Sequence, residues 1–256
     1  MDLHRRLMAG FGIAKVITDW PEYALSCIGA GPRCARIRLR NGISFRIRKG
    51  EPDLWTISEV WVHRIYNPPG FSINPGDLVI DIGAHIGAFS VFAASAGATV
   101  ESFEPHPDNH RMLRANLRIN GFASVKTHNA AVGGKEGRRR LFLPENESCC
   151  NSFFPQGKDL PSAEVDCTTL DKIVLGSGIR QVDLLKLDCE GAEYEILMSA
   201  SDGALSRIRK ISLEYHDGLV PGRDHRKLSS FLEEKGFEVT LRPPLMYASR
   251  THIRQS

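Results

Sequence analysis

The sequence predicts an α/β protein built on a doubly wound, mostly parallel sheet, preceded by an N-terminal β-hairpin and helix. Three observations predict it. From residue 78 onward, short apolar runs of strand length alternate with helical stretches, the pattern of parallel α/β folds. The first run, Leu78–Ile82, opens into a glycine turn at Gly83 and Gly87, and the next strand, 100–103, is followed by Glu104. Upstream, residues 35–48 alternate apolar with arginine around Asn41 and Gly42, a strong short-range hairpin signal.

Residues 1–70 read as an N-terminal extension acting as a lid or substrate element, and 71–256 as the main domain. In the hairpin, Ile37, Leu39, Ile43, Phe45 and Ile47 form a face expected to pack down, while Arg36, Arg38, Arg40, Arg46 and Arg48 line the other. An exposed, solvated arginine face is the default reading of such a run. The sharper reading is a surface for an anionic substrate or a phosphate-bearing carrier. No aromatic residues interleave with the arginines, which leaves RNA no stacking platform. Residues 53–66 read as a helix capped by Asp53, with Glu59 and Tyr66 two turns apart and turned toward the cleft.

The turn Asn74, Pro75, Gly76, Asp77 leads into Leu78–Ile82. A helix over 106–120 is stopped by Gly121, and 125–130 forms the third strand. Residues 138–143 read as one strand of an inserted hairpin. The Pro-, Ser-, Asn- and Gly-rich stretch 144–161 reads as a loop and substrate lid. A helix begins at 168–171, a fourth strand spans 182–188, and 189–197 opens the following helix. A fifth strand spans 208–215. Helix 223–235 and the strands 236–241 and 245–252 then finish the sheet with an antiparallel hairpin.

The glycine turn separates two kinds of nucleotide site. A dinucleotide site wants G-x-G-x-x-G, the middle glycine allowing a pyrophosphate to approach the backbone. Here that position is His85, and the motif is D-x-G-x-x-x-G with an acid 21 residues after Gly83. This suits a nucleoside without phosphates. Glu104 can accept hydrogen bonds from both ribose hydroxyls. Gly83 and Gly87 let the backbone lie close to the ligand. Asn129 and Ala130, at the end of the third strand, fall beside an adenine so held. S-adenosylmethionine is such a ligand, and its sulfonium makes Asp81 electrostatically welcome. A second cluster gathers Lys186, Asp188, Glu190, Glu193, Glu214 and His216 at neighbouring strand ends, where a methyl acceptor belongs.

Composition narrows the class. A chain of 256 residues with 42% hydrophobic residues can bury the core of one α/β domain. A formal net charge of +3 does not by itself imply a nucleic-acid or membrane partner. No apolar run approaches the roughly 20 residues that span a bilayer. Lys15 and Asp19 interrupt any signal-peptide core, so a cytoplasmic location is the simplest expectation. The 6 cysteines form no C-x-x-C pair, so reduced thiols are expected and a zinc site is not. Nothing in the sequence fixes the oligomeric state.

VIDIGAHIGAFS, FEP, LLKLDCEGAEYEIL and ISLEYH, in this order, resemble the FkbM family of S-adenosylmethionine-dependent methyltransferases. The likeness covers roughly 53–220 and takes in Glu59, Tyr66 and the TTLD segment at 168–171. It implies a seven-stranded, Rossmann-like class I methyltransferase sheet and O-methylation of hydroxyls on sugars or other natural products. The family commonly has Asn where His85 stands. For the chemistry, His216 has the most suitable ordinary pKa to take a hydroxyl proton, with Glu190 and Glu214 as competing bases and Asp188 beside them. Lys186 reads as an ion-pair partner of these acids. The acids can also hold a divalent cation, an arrangement ranked below a metal-free site. Two rival readings are a nicotinamide-dependent oxidoreductase on the same fold and a non-catalytic RNA- or partner-binding module using the arginine hairpin. The first lacks the middle glycine and a Tyr-x-x-x-Lys set.

Overall fold

In the computed structural model of the protein, residues 16–19, 34–143, 151–154, 160–219 and 222–250 are described. A seven-stranded sheet forms its centre. In chain order its strands are β3 (Leu78–Ile82), β4 (Thr99–Phe103), β5 (Lys126–His128), β9 (Leu184–Leu187), β10 (Lys210–Glu214), β11 (Glu238–Arg242) and β12 (Leu245–Ser249). They lie in the order β11-β12-β10-β9-β3-β4-β5. β3, β4, β5, β9 and β10 run parallel, and β12 inserts antiparallel between β10 and β11. The expected doubly wound, mostly parallel sheet with a closing antiparallel hairpin is therefore present.

Each central strand is buried on both faces, which is why it reads as a continuous apolar run rather than an alternation. Ile80 and Ile82 point to one core with Leu185, Leu187, Ile211 and Leu213, while Val79, Val100 and Leu184 point to the other. Asp81, Ser102 and Lys186 are in register on adjacent strands, a polar row inside the second layer. Asp81 and Lys186 form an ion pair, and Ser90, 2.8 Å from Ser102 Oγ, links Ser102 to Asp81. Lys186 Nζ lies 3.1 Å from Asp81 Oδ1, and Ser90 Oγ donates to Asp81 Oδ2 at 2.6 Å.

The hairpin forms as expected from β1 (Cys34–Arg38) and β2 (Ser44–Arg48), with Ile37 opposite Phe45 and Arg36 opposite Arg46. Its apolar face joins the second core: Ile37, Leu39, Phe45 and Ile47 pack with Trp61, Phe92, Leu113 and Leu117. Ile43, expected on that face, is only partly buried. The helix α3 (Pro107–Ile119) fastens β2 through two amide side chains that imitate a partner strand. Asn116 Oδ1 accepts from Arg46 N at 2.7 Å, and Asn120 bonds both N and O of Ser44 at 2.8 and 2.7 Å.

The expected helix over 53–66 is two pieces. α1 (Asp53–Ser58) passes into a π-helical turn at Glu59–His63, and Arg64 adopts φ +54° to end it. Such wide turns concentrate at functional positions. Pro52, not Asp53, caps α1, and Asp53 is fully buried and spent elsewhere. A second helix, α2 (Ala88–Ser95), follows β3 from Gly87.

The inserted hairpin is a three-stranded sheet. β7 (Gly137–Phe142) pairs antiparallel with β8 (Ser162–Thr168), and β6 (Ala131–Val132) pairs parallel with β8. The signal for β8 was in the chain: Val165 and Cys167 point inward while Glu164 and Asp166 point out. The remaining helices are α4 (Leu170–Val174), α5 (Glu193–Met198), α6 (Asp202–Ser206) and α7 (His225–Glu234). Of the expected lid 144–161, residues 144–150 and 155–159 lie outside the described residues, as do Lys15 and three of the cysteines. Among the described residues, no helix is long and apolar enough to cross a membrane.

Candidate active site

A cleft open to solvent lies over the carboxyl ends of β3, β4, β9 and β10. This is where open α/β sheets bind ligands. Of the residues singled out in the sequence, Glu59, Tyr66, Gly83, His85, Glu104, Ala130, Asp188, Glu190, Glu214 and His216 line it. Asp81, Gly87 and Asn129 do not.

Those three act beneath the cleft. Asp81 is fully buried and holds Lys186, so it does not face a ligand. Gly87 caps α2 at φ +87°, and a Cβ there would sit 2.6 Å from Leu113 Cδ1; helix packing, not a ligand, excludes a side chain. Asn129 Nδ2 donates to the carbonyls of Glu104 and Pro105 at 2.9 Å each, closing the turn after β4. Gly83 does line the cleft, at φ +77°, but a Cβ would lie 1.8 Å from the Asp188 carbonyl oxygen. The close approach it permits is therefore to the neighbouring strand end.

At the β4 end, the Glu104 carboxylate accepts from His85 N and His106 N, both at 2.8 Å. Asn109 Nδ2 adds a longer bond at 3.5 Å. Burial raises the Glu104 pKa to about 7, against the pull of these donors. An ionised carboxylate offers about four acceptor sites, so lone pairs remain for a hydroxyl ligand. His85 supplies its backbone N–H from the left-handed region, φ +50°, which asparagine and histidine tolerate better than most residues.

The other end is crowded with acids. Tyr66 Oη donates to Asp188 Oδ2 at 2.8 Å. Burial, then Glu214 and Asp188, raise the Glu59 pKa to about 8. Burial, then Asp188, raise Glu214 to about 7. Lys186 offsets them only in part: its charge pulls both pKa values down, but its ammonium is held by Asp81 and by the Gly83 carbonyl at 2.8 Å. The expected ion-pair role for Lys186 is thus what its surroundings give it.

His216 lies between two carboxylates, Nδ1 3.2 Å from Glu193 Oε1 and Nε2 3.6 Å from Glu190 Oε2. Burial by itself lowers its pKa, but the Glu193 bond and the charges of Glu193, Glu190 and Asp188 raise it to about 10. That direction favours the imidazolium, the form that cannot take a proton. Glu193 is fully buried and accepts from the N–H groups of Cys189 and Gly191 at 2.7 and 2.9 Å. Glu190, at φ +50°, holds a strained backbone that Ser152 Oγ anchors by a 2.6 Å bond to its carbonyl.

The sequence did not single out Trp55, Thr56 and Leu141, which also line the cleft, as do Asn151 and Phe153 of the expected lid 144–161. Phe153 is held by the Arg139 guanidinium 3.8 Å above its ring. The bridge between Ser152 and Phe142 at the end of β7, and the Ser152 bond to Glu190, hold this segment at the cleft. Donor atoms of Asp188, Glu190 and His216 lie within 4.8 Å of one another and are the cleft residues able to hold a metal ion; Asp217, Asp224 and His225 form a second such group outside it.

This sheet order, with a cleft at the strand ends, is a doubly wound Rossmann-like α/β fold of the kind class I methyltransferases use. The chain belongs to the FkbM methyltransferase family: the Methyltransferase FkbM domain matches residues 81–239, more than half of it. It is 29% identical over 251 residues to the 31-O-demethyl-FK506 methyltransferase FkbM of Streptomyces tacrolimicus, covering 86% of this chain and 94% of that one. It is 28% identical over 228 residues to the AMB antimetabolite synthetase AmbE of Pseudomonas aeruginosa, covering 73% of this chain but 11% of that much longer protein. Among solved structures, the precorrin-6y C5,15-methyltransferase of Geobacter metallireducens overlays with a TM-score of 0.41 at 17% identity, over 70% of this chain and 82% of that one.

The cofactor of this class is S-adenosylmethionine, and the donor set fits it. The Glu104 carboxylate, lining the cleft at the β4 end, keeps lone pairs that a ribose diol can use. The carboxyls of Glu59 and Glu214, whose pKa values burial and the neighbouring acids raise, stand beside Asp188 and suit a ligand carrying positive charge.

Proposed function

We propose that the protein methylates a hydroxyl oxygen of a small molecule, a sugar or another natural product, using S-adenosylmethionine. The observation that carries this reading is the polarity of the cleft, with one ribose-binding carboxylate at the β4 end and a proton-handling cluster at the β9 and β10 ends. Oxygen as the acceptor atom is supported by the relative that is a 31-O-demethyl-FK506 methyltransferase.

When bound, the cofactor would supply a sulfonium methyl group, whose carbon would bond to the aligned acceptor oxygen as its bond to sulfur breaks and the neutral thioether leaves. Glu104 holds the ribose. Glu59, Asp188 and Tyr66 line the middle of the cleft, where their charge and hydrogen bonding offset the cation. Glu214, with a pKa of about 7, is matched to receive the acceptor's hydroxyl proton near neutral pH, and Glu190 is the alternative receiver. His216, held as an imidazolium by Glu193, orients the acceptor by donating from Nε2. The sequence-based role of His216 as the base thus passes to a carboxylate.

The test is transfer of labelled methyl from S-adenosylmethionine to metabolite fractions of the source organism, with the product identified by mass spectrometry. A product methylated on carbon or nitrogen rejects O-methylation. Failure to bind S-adenosylmethionine or its demethylated product at micromolar concentration rejects the whole reading.

A further inference from the structure

Of the five hairpin arginines, one does not join the outward row. Arg48, at the end of β2, turns inward, its side chain 16% exposed. Its Nε and Nη2 form a two-pronged pair with Asp53, at 3.1 and 2.7 Å, and its backbone N–H adds a third bond to the same carboxylate at 2.7 Å. Asp53 is completely buried, so this pair fixes the guanidinium plane.

The two terminal nitrogens of that plane point to two different residues of the cofactor end. Nη1 donates to Asn109 Oδ1 at 2.9 Å, and Nη2 lies 3.3 Å from His85 Nε2. Because Arg48 can only donate, His85 Nε2 must accept, which places the imidazole proton on Nδ1, 3.4 Å from Thr56 Oγ1 of α1. Both residues so held are supports of Glu104: His85 through its N–H to Oε2 and Asn109 through its amide to Oε1.

We propose that Arg48 is a positioning residue for the cofactor, a strut through which the N-terminal hairpin sets the Glu104 carboxylate by way of His85 and Asn109. This rests on the reading that Glu104 binds the cofactor's ribose. The hairpin is then part of the cofactor site, whatever its arginine face binds. It also gives His85 a reason: the position needs a residue that tolerates φ +50° and presents an acceptor to the guanidinium.

The experiment is a double-mutant cycle read by calorimetric binding of S-adenosylhomocysteine. Arg48→Met and Glu104→Ala should each weaken binding, Arg48→Met by about tenfold, and the double variant should be weaker than Glu104→Ala by less than about twofold. Arg48→Lys should behave like Arg48→Met, since a point charge cannot span both Asn109 and His85. Saturating S-adenosylmethionine should restore the turnover number of Arg48→Met to within about twofold, because the strut acts on binding rather than on proton transfer. Equal effects of Arg48→Met with and without Glu104 would overturn the strut while leaving the cofactor reading intact. A wild-type protein that does not bind S-adenosylhomocysteine would overturn the cofactor reading and the strut together. If Arg48→Met does not fold, Asn109→Ala breaks one arm alone. Its effect must likewise vanish in the Glu104→Ala background, and persistence there rejects the proposal.

Discussion

His216 shows how far a residue's ordinary chemistry can be turned by its neighbours. Free histidine titrates near neutrality, but two carboxylates within 3.6 Å keep this one protonated, while burial pushes Glu214 up to about 7. The roles proposed for the two groups are therefore the reverse of those their types suggest. Glu214→Gln should lower kcat by at least ~10² and abolish the acid limb of the kcat profile near pH 7. His216→Gln should lower kcat yet leave that limb in place. Profiles measured over pH 5–9 on both variants check this, and loss of the limb in His216→Gln would return the base role to the histidine. The same proton bears on metal dependence. With the imidazolium occupying the space among Asp188 and Glu190, exhaustive chelation should leave turnover unchanged. Inactivation reversed by added Mg²⁺ would instead assign the three donors to an ion.

At the scale of elements, the glycine turn matters through what packs against it. Gly87→Ala forces a side chain into φ +87° and against Leu113 of α3, and should cost about 2–4 kcal/mol in denaturant unfolding. Gly42→Ala, at φ +89° with nothing within 4 Å, carries only the backbone cost of about 1–2 kcal/mol. Equal losses would show that the α2–α3 contact is not the constraint. The hairpin's own place in the fold follows from a similar economy of contact. An isolated two-stranded hairpin is marginal in water, so β1 and β2 need both their apolar face against Trp61 and Leu113 and the amide ladder from Asn116 and Asn120.

The whole molecule stores its site as protonation. Glu59, Glu104 and Glu214 have folded pKa values near 8, 7 and 7, above the ordinary 4.5, so between about pH 6.5 and 8, above the range in which the lowered pKa of His85 opposes them, the folded state binds more protons than the unfolded one. Stability of the ligand-free protein should therefore fall as pH rises through that window. His216, raised to about 10, adds in the same direction: its contribution is complete below pH 6.5 and is lost toward 10. A cationic ligand reverses the balance at the carboxyls, favouring their ionised form. The increase in Tm given by S-adenosylmethionine should thus grow from pH 6 to 8.5, and binding should release protons, seen as a buffer-dependent calorimetric enthalpy. A Tm increase independent of pH would mean that the carboxyls do not face the ligand.

The order of strands and helices was written locally, because buried parallel strands need unbroken apolar runs and glycines end them where the chain must turn. Glu104 and the Lys186–Glu193 string were legible for the same reason: each sits at a strand end, and strand ends can be counted along a chain. β8 was missed although its alternation was present, because its partner lies some 20 residues away across a loop. What only the tertiary structure decided is direction. Asp81 faces Lys186 rather than a ligand, Asn129 closes a turn, Arg48 leaves its row to reach Asn109 and His85, and His216 keeps a proton. Each outcome depends on partners tens of residues distant, brought within a few ångströms by packing. Sequence fixes which groups exist and on which element; their protonation and aim depend on the distances between elements, which only the assembled core sets.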